Sequence, residues 1–258
     1  MGPLVESPAM HRFFLPPERC AEALLKLDGR EAHHASQVLR LKRGATVVVL
    51  DGAGSELQCL VETVSRNELS LSVQAKKSAP LPPNAITLFQ AVPKGKIMES
   101  IIQKSVELGV RQIVPLLTER VVTHLDDEGA ENRREKWQQV AIEAIKQCGA
   151  LWLPEIAAPT GLQEYLESRT ENFDLALVGS LQTERRHPRE YFNRFHSAHD
   201  RPPRAVAVWI GPEGDFSADE LKSIQDAGAL PVTLGELVLR VETAAVYCLS
   251  ILNYELTA

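Results

Sequence analysis

The sequence has little of what marks a secreted, membrane-spanning or metal-binding protein. Its cysteines are few and far apart, without metal-ligand spacing, and stand at Cys20, Cys59, Cys148 and Cys248. No secretory leader is recognisable, so we expect these cysteines to be buried thiols in a reducing cytoplasm. The apolar runs are far shorter than the roughly 20 residues that a membrane helix needs. These absences predict a cytoplasmic protein without a membrane span or a metal.

The motifs of several common cofactor sites are also missing. No Gly-x-Gly-x-x-Gly follows an early strand, and there is no Walker-type Gly-Lys-Ser/Thr and no Gly-x-Ser-x-Gly elbow. His33 and His34 lack partner ligands at zinc spacing, and a pair of partly exposed helical histidines is expected there. Dinucleotide, P-loop and serine-hydrolase chemistry are therefore not indicated.

Basic residues are not in excess overall, but their distribution is uneven. The chain has 258 residues, 44% hydrophobic and 24% charged, with a formal net charge of −6. Residues 10–83 carry ten Lys and Arg against eight Asp and Glu, a net of +2, whereas residues 84–258 carry eighteen against twenty-five, a net of −7. A general nucleic-acid coat is thus excluded, while the mildly basic first third is a hint about partners.

A small β-rich domain is expected over residues 10–78. Residues 1–9 show no structural pattern, and Met10 is a candidate original start. "ATVVVLDGAGSELQCLVETV" predicts a hairpin, "NELSLSVQA" a further strand, and "GREAHHASQVLRLKRG" a short helix ahead of them. The proline-rich stretch "SAPLPPNA" at residues 78–85 predicts a linker.

A second domain is expected over residues 84–258, where strands and helices alternate. The predicted strands "AITLFQAV", "RQIVPLL", "FDLALVG", "RAVAVWIG" and "LPVTLG" are almost wholly apolar. Helices are predicted in "KIMESIIQKSVELG", in "RREKWQQVAIEAIKQCG", and near 188–196, 218–227 and 242–254. This alternation is typical of an α/β fold with a parallel sheet covered on both faces, and ligands bind such sheets at the carboxyl ends of the strands.

Three strand ends carry chemically distinctive residues: "FQAVPKGK", "IGPEGDFSADE" and "TLGELVLRVETAA". In the second, Ser217 and Glu220 match a helix capping box. Gly211 and Gly214 allow positive φ or close approach of a ligand, and Pro212 stiffens the turn, so a rigid backbone cradle is predicted. An ordinary strand-to-helix turn is the alternative.

The third strand end is apolar where a loop should be polar. Leu237, Val238, Leu239 and Val241 predict burial against something, with Arg240 among them. A short extra strand or a covered helix turn is the alternative. The helix that follows is apolar almost all round, which predicts burial or an oligomer interface.

Taken together, the ordered motifs resemble the SPOUT class of methyltransferases, and over residues 10–258 the RsmE-type 16S ribosomal RNA uridine-N3 methyltransferases. The matching stretches are "HRFFL", "HHASQVLRLKRG", "DGAG", "PKGKIMESIIQKSVELGVRQIVPLLTER", "EAIKQCG", "IGPEGDFSADE" and "LGELVLRVETA". Any one alone is weak evidence; their order and spacing are specific.

The resemblance implies a fold that periodicity does not predict. The second domain would be an α/β trefoil knot, and the first a PUA-like β-barrel that binds RNA. The segment "LGELVLRV" would be threaded and packed, and the protein would work as a homodimer with the cofactor site at its interface.

The resemblance also implies the reaction: transfer of a methyl group from S-adenosylmethionine (SAM) to N3 of a uridine in the 16S rRNA of the small ribosomal subunit. Apolar side chains and backbone groups would hold the cofactor. The residues expected to bind it are Gln90, Ala91, Ile210, Gly211, Pro212, Glu213, Gly214, Leu234, Gly235, Val238, Leu239, Arg240 and Thr243.

Catalysis at uridine N3 requires that its proton be removed and the anion stabilised. Arg240 is the candidate cation, with a structural ion pair to Glu242 or Glu213 as the alternative. Glu213 or Glu242 is the candidate base, and either could instead hold a loop amide.

RNA positioning is assigned to five residues of the first domain: Arg12, His34, Arg40, Lys42 and Arg43. For Lys42 and Arg43 a solvated loop is the alternative.

The chain departs from the family pattern at three positions. Asp215 replaces a second Gly, Glu236 replaces Pro or Arg, and Ala150 replaces Arg. Two other functions stay open: a different SPOUT activity such as ribose 2′-O methylation, and an RNA-binding assembly factor without catalysis.

Overall fold

The computed structural model describes residues 11–120, 127–181 and 184–257. Residues 1–9 and the candidate start Met10 lie outside them. The chain divides into two compact units: one comprises the residues up to Leu81 together with Ile142–Leu153, and the other comprises Pro82–Ala141 and Pro154–Ala258.

The first unit is built on a five-stranded, mostly antiparallel sheet. Its strands are β1 (Arg12–Phe14), β2 (Leu24–Asp28), β3 (Thr46–Leu50), β4 (Ser55–Val64) and β5 (Glu68–Ser78), in the order β1-β3-β4-β5-β2. The one parallel pair joins β1 to β3. A helical segment lies between β2 and β3, with α1 (Gly29–His33) continuing into a π-helical turn, His34–Val38. The predicted β-rich unit is confirmed, and β1 and β2 are strands that the sequence pattern did not indicate.

Alternation along the strands builds the core of this unit. Leu69 and Leu71 of β5 are fully buried and Val73 packs against the same cluster, as their spacing predicted. Residues Ile142–Leu153, which include the end of a long helix, also belong to this unit. Lys146 binds Glu31 through Nζ at 2.7 Å, and Trp152 fits against Gly54, where an added Cβ would lie 2.4 Å from the indole.

The second unit contains a parallel sheet. Its main path runs β12-β10-β11-β6-β7-β8, every pair is parallel, and β9 pairs with β7. The strands are β6 (Ala85–Ala91), β7 (Gln112–Leu117), β8 (Glu155–Ile156), β9 (Thr160–Gly161), β10 (Leu175–Gly179), β11 (Ala205–Ile210) and β12 (Leu230–Val232). The predicted α/β architecture is confirmed; β8 and β9 were not predicted.

Helices cover this sheet. They are α2 (Ile97–Glu107), α3 (Asp127–Cys148), α4 (Leu162–Ser168), α5 (Pro188–His199), α6 (Ala218–Asp226) and α7 (Val241–Thr257). On one face, Phe89 of β6 stacks on Trp209 of β11 with ring centroids 3.9 Å apart, and α4 and α6 pack around them. α7 contacts β6 and β11. The central strands are therefore almost wholly buried, which explains why their sequences are predominantly apolar.

The expectation that all four cysteines are buried needs correction. Cys20, Cys59 and Cys248 are buried thiols, but Cys148 is exposed because it ends α3. In the described ranges, no helix combines the length and apolarity that crossing a membrane requires. The trefoil knot stays a prediction.

Candidate functional site

A cavity of about 430 Å³ lies at the carboxyl edge of the parallel sheet. That size falls in the range of roughly 300–1,000 Å³ typical of small-molecule sites. Three strand ends supply its walls: the segment after β10, the turn after β11 and the loop after β12. Its lining comprises Ile97, Gly179, Ser180, Leu181, Arg185, Ile210, Gly211, Pro212, Glu213, Asp215, Leu234, Gly235, Leu237, Val238, Leu239, Arg240, Val241, Glu242 and Ala244.

The turn after β11 is tight because its backbone folds onto itself. The Asp215 amide donates to the Pro212 carbonyl at 2.9 Å. A Cβ on Gly211 would lie 3.0 Å from the Phe216 nitrogen and 3.1 Å from Asp215 Oδ1. Gly211 is therefore required by close packing, and the positive φ of this turn belongs to Asp215, at 61°.

Neighbouring loops hold the turn from one side. Glu213 Oε1 accepts a hydrogen bond from the Lys94 amide, which follows β6, at 3.0 Å. Arg120, which follows β7, donates from Nη1 to the Gly214 carbonyl and, at 3.2 Å, to the Asp215 carbonyl. Glu213 thus joins the turn after β11 to the loop after β6.

The predicted capping box at the start of α6 is confirmed. The Glu220 amide donates to Ser217 Oγ at 3.3 Å, and Glu220 Oε2 accepts from the Ser217 amide at 2.9 Å. The other oxygen of Glu220 accepts from the Glu119 amide at 2.8 Å. This buried carboxylate therefore caps its own helix and also anchors the loop after β7.

On the other side, Asp215 joins the turn to the segment after β10. Its Oδ1 accepts from the Phe216 amide at 2.9 Å, and its Oδ2 accepts from the Leu181 amide at 3.1 Å. The substitution that the family resemblance left unexplained thus has a structural role.

The third wall, after β12, matches the prediction only in part: Val241 is buried and Leu239 half-buried, whereas the other two apolar residues are not. Gly235 adopts φ 110°, a conformation that favours glycine, and its amide is bonded to Thr233 Oγ1 at 3.2 Å. Leu237 and Val238 were expected to be packed, but they are 79% and 76% exposed. They stand at the rim of the cavity, where the single chain places nothing over them.

Arg240 and Glu242 both line the cavity, where the loop meets α7. The Arg240 carbonyl accepts from the Ala244 amide at 2.8 Å, which fixes its backbone at the start of the helix. Its guanidinium is exposed, and in the described part of the chain it forms no ion pair with Glu213 or Glu242. Arg240 is thus a cation at the cavity wall that forms no salt bridge with any residue that the structure describes.

Most residues predicted to hold the cofactor come together in this cavity. Nine of them line it: Ile210, Gly211, Pro212, Glu213, Leu234, Gly235, Val238, Leu239 and Arg240. The lining does not include Gln90, Ala91, Gly214 or Thr243. Gln90 is fully buried and donates from Nε2 to the Ala91 carbonyl at 2.9 Å, so it braces the end of β6.

The sequence interpretation missed the wall after β10. Gly179, Ser180 and Leu181 line the cavity, and Arg185 donates from Nη1 to the Ser180 carbonyl at 3.1 Å. "FDLALVG" was recognised as a strand, and its carboxyl end must lie on the same edge as the other parallel strand ends. That position was the available signal, because the residues themselves resemble an ordinary loop.

The residues predicted to position RNA lie in the first unit. Arg12 donates from Nη1 to the carbonyls of Lys146 and Gln147 at 3.3 and 3.2 Å, so it closes the end of α3. His34 is half-buried with its ring edge-on to Phe13. Arg40, Lys42 and Arg43 are exposed. Among the described residues, no group of three or more potential ligands is arranged to hold a metal.

Comparisons with known families identify the class of protein. A family model described as an RNA methyltransferase domain matches residues 80–253, and one described as an RNA methyltransferase PUA domain matches residues 27–74. The fold and the site therefore define an RNA methyltransferase with a PUA-type domain.

Similar curated proteins narrow the class further. The chain is 31% identical to the ribosomal RNA small subunit methyltransferase E of Synechocystis, over 94% of this chain and 77% of that protein. It is 29% identical to the protein of the same name from Bacillus subtilis, over 95% of this chain and 97% of that protein. The chain belongs to the ribosomal RNA small subunit methyltransferase E family.

Solved structures show the same similarity. A Legionella pneumophila protein in complex with bound SAM matches with a TM-score of 0.84 and 33% identity, over 95% of this chain and 97% of that one. A ribosomal RNA small subunit methyltransferase E from Neisseria gonorrhoeae, bound to SAM, matches with a TM-score of 0.79 and 25% identity, over 95% and 97%.

Changing Gly211 to Ala should disturb the turn after β11. The new Cβ would meet the Phe216 backbone nitrogen at 3.0 Å, so the turn must shift, at a cost of about 1–3 kcal/mol in the free energy of unfolding. Thermal unfolding measures that cost, and amide hydrogen exchange at Phe216 reports the shift. Gly161→Ala is the control, since its Cβ would meet only the Glu164 side chain, at 3.7 Å. Equal stability of the two variants would contradict the prediction.

Proposed function

We propose that the protein methylates N3 of a uridine in 16S ribosomal RNA of the small subunit, with SAM as the methyl donor. The observation that carries this proposal is the cavity at the carboxyl edge of the sheet, because the stretches that resemble the uridine-N3 enzymes form its walls. The names of the curated relatives support an rRNA substrate, and the SAM-bound neighbours support the donor.

The cavity suits SAM in shape and chemistry. Ile210, Leu234, Val238 and Leu239 offer an apolar slot for an adenine ring, and the glycines leave backbone groups accessible beside it. Charged groups of both signs line the same cavity, which fits a zwitterionic amino acid: Arg185, Glu213, Arg240 and Glu242. When bound, SAM supplies an electrophilic methyl group.

The protein's own residues prepare the uridine. Arg240 stabilises the negative charge that develops as N3 loses its proton, because its guanidinium has no competing ion pair with Glu213 or Glu242. Glu213 is engaged with the Lys94 amide, which supports a loop-holding role. Glu242 is the remaining candidate base, at the cavity wall in the first turn of α7. Methyl transfer is an in-line displacement, so a rigid site contributes to the rate by positioning.

The first unit would supply the RNA contacts of the proposal. Arg40, Lys42 and Arg43 are exposed cations suited to phosphates, whereas Arg12 is occupied at the end of α3. A homodimer with the site at its interface and a cytoplasmic location complete the proposal. Leu237 and Val238 at the rim, and Tyr247 and Tyr254 on the outer face of α7, are exposed apolar surface that such a partner would cover.

The test is methylation of small ribosomal subunits with labelled SAM, followed by nucleoside analysis. Label in N3-methyluridine is the expected result. Label in alkali-resistant dinucleotides would assign ribose 2′-O methylation instead. RNA binding without SAM binding, measured by calorimetry, would assign a non-catalytic assembly factor.

Replacing Arg240 by Ala should abolish most turnover while preserving the fold. The expected loss in kcat is about 100-fold or more, the usual effect of removing one charge-stabilising group. Arg240→Lys should recover part of it, because the charge returns without the planar fork. Lys222→Ala, on exposed α6 surface, is the matched control. Wild-type turnover in Arg240→Ala would remove this residue from the mechanism.

Replacing Lys42 and Arg43 together by Ala should weaken RNA binding and flatten its salt dependence. Each lost phosphate contact reduces the log–log slope by roughly 0.7–0.9. Binding at several salt concentrations measures the slope. Arg12→Ala should leave the slope unchanged and instead lower thermal stability, because its bonds go to α3 carbonyls. An unchanged slope in the double variant would mean that Lys42 and Arg43 are solvated and do not contact RNA phosphates.

A further inference from the structure

One carboxylate links two walls of the cavity that belong to different strands. Leu181 follows β10 and Asp215 follows β11, and both line the cavity. The Leu181 amide donates to Asp215 Oδ2 at 3.1 Å, while Oδ1 of the same carboxylate accepts from the Phe216 amide at 2.9 Å. The side chain thus bonds its own turn with one oxygen and the neighbouring segment with the other.

The backbone at Asp215 restricts which residue can do this. Its φ of 61° lies in the left-handed region, which glycine adopts freely and which Asp and Asn tolerate better than other residues. Glycine, the residue of the related pattern, would satisfy the backbone but offer no acceptor. Aspartate satisfies the backbone and also binds the Leu181 amide.

The tie made by Asp215 is distinct from the other bonds of the segment after β10. Arg185 donates to the Ser180 carbonyl at 3.1 Å, which stays within that segment, and the Arg186 backbone pairs with Pro231 and Thr233. The bond from Leu181 to Asp215 connects that segment to a turn that Lys94 and Arg120 already hold. It also involves an ionised acceptor, which makes it stronger than a neutral hydrogen bond.

We propose that Asp215 is a positioning residue: it fixes Leu181, two residues beyond the end of β10, against the turn, so that the donor pocket is formed before the donor binds. The inference rests on the proposed function, in which the donor is SAM. If the segment is held in only a fraction of molecules, the apparent dissociation constant rises by the inverse of that fraction. Asp215 therefore contributes affinity by holding the wall in place, without a bond of its own to the donor.

The decisive variant is Asp215→Gly, which suits the backbone and deletes the carboxylate. Calorimetry with SAM and no RNA should show binding weakened about tenfold, the equivalent of about 1.4 kcal/mol. Asp215→Asn keeps one carbonyl acceptor and the same backbone tolerance. Its affinity for SAM should therefore lie between that of the wild type and that of Asp215→Gly. Asp200→Gly is the matched control: Asp200 also has positive φ, 51°, but it ends α5 and does not line the cavity.

Two further measurements separate positioning from general stability. In the free protein, amide exchange at Leu181 should be faster in Asp215→Gly and unchanged in Asp200→Gly. In turnover assays, KM for SAM should rise in Asp215→Gly, while kcat at saturating SAM and KM for RNA stay at wild-type values.

Wild-type affinity for SAM in Asp215→Gly, or unchanged protection of Leu181, would overturn the inference. Wild-type protein that does not bind SAM would overturn the proposed function instead, and the exchange at Leu181 would still decide whether Asp215 holds the wall.

Discussion

The turn after β11 is the constraint on which the site depends. A buried parallel strand has to end, reverse and start α6 within a few residues, and it does so at the point where other strands end as well. Three carboxylates in the turn or just after it each bind a backbone amide outside regular structure. Glu213 binds the amide of Lys94, Asp215 binds that of Leu181, and Glu220 binds that of Glu119. These bonds join the segments after β6, β7 and β10 to the turn and to the start of α6, and so help the cavity to keep its shape.

Local features of this region were readable from the sequence, whereas its long-range bonds were not. The capping box joins residues three apart, so Ser217 and Glu220 identify it without any knowledge of the fold. The bond from Lys94 to Glu213 spans 119 residues, and the one from Leu181 to Asp215 spans 34. No pattern within a strand or helix encodes such pairs, since they follow from the order of strands in the sheet. The wall after β10 is a related case: the sequence pattern places the end of this strand at the ligand-binding edge, and the strand order β12-β10-β11 then places it beside the other two strand ends.

The apolar sequence of the loop after β12 was also ambiguous. Leu237 and Val238 suggested burial, and the single chain leaves them exposed beside the cavity. Removing an apolar side chain from water lowers the free energy, but the sequence does not show which surface covers that side chain. A donor molecule or a second chain can complete this loop as well as the rest of the same chain could. The same alternatives apply to the outer face of α7, where Tyr247 and Tyr254 are exposed.

Net charge is a similarly coarse guide to the surface around the cavity. Residues 84–258 carry a net charge of −7, to which Glu213, Asp215 and Glu220 contribute. Yet Glu213, Asp215 and Glu220 each direct at least one carboxylate oxygen at a backbone amide, whose partial positive charge offsets part of the field. Arg240, by contrast, keeps an exposed guanidinium at the cavity. The charge that a substrate meets therefore depends on which groups the turn has already engaged, and not on the sum over the sequence.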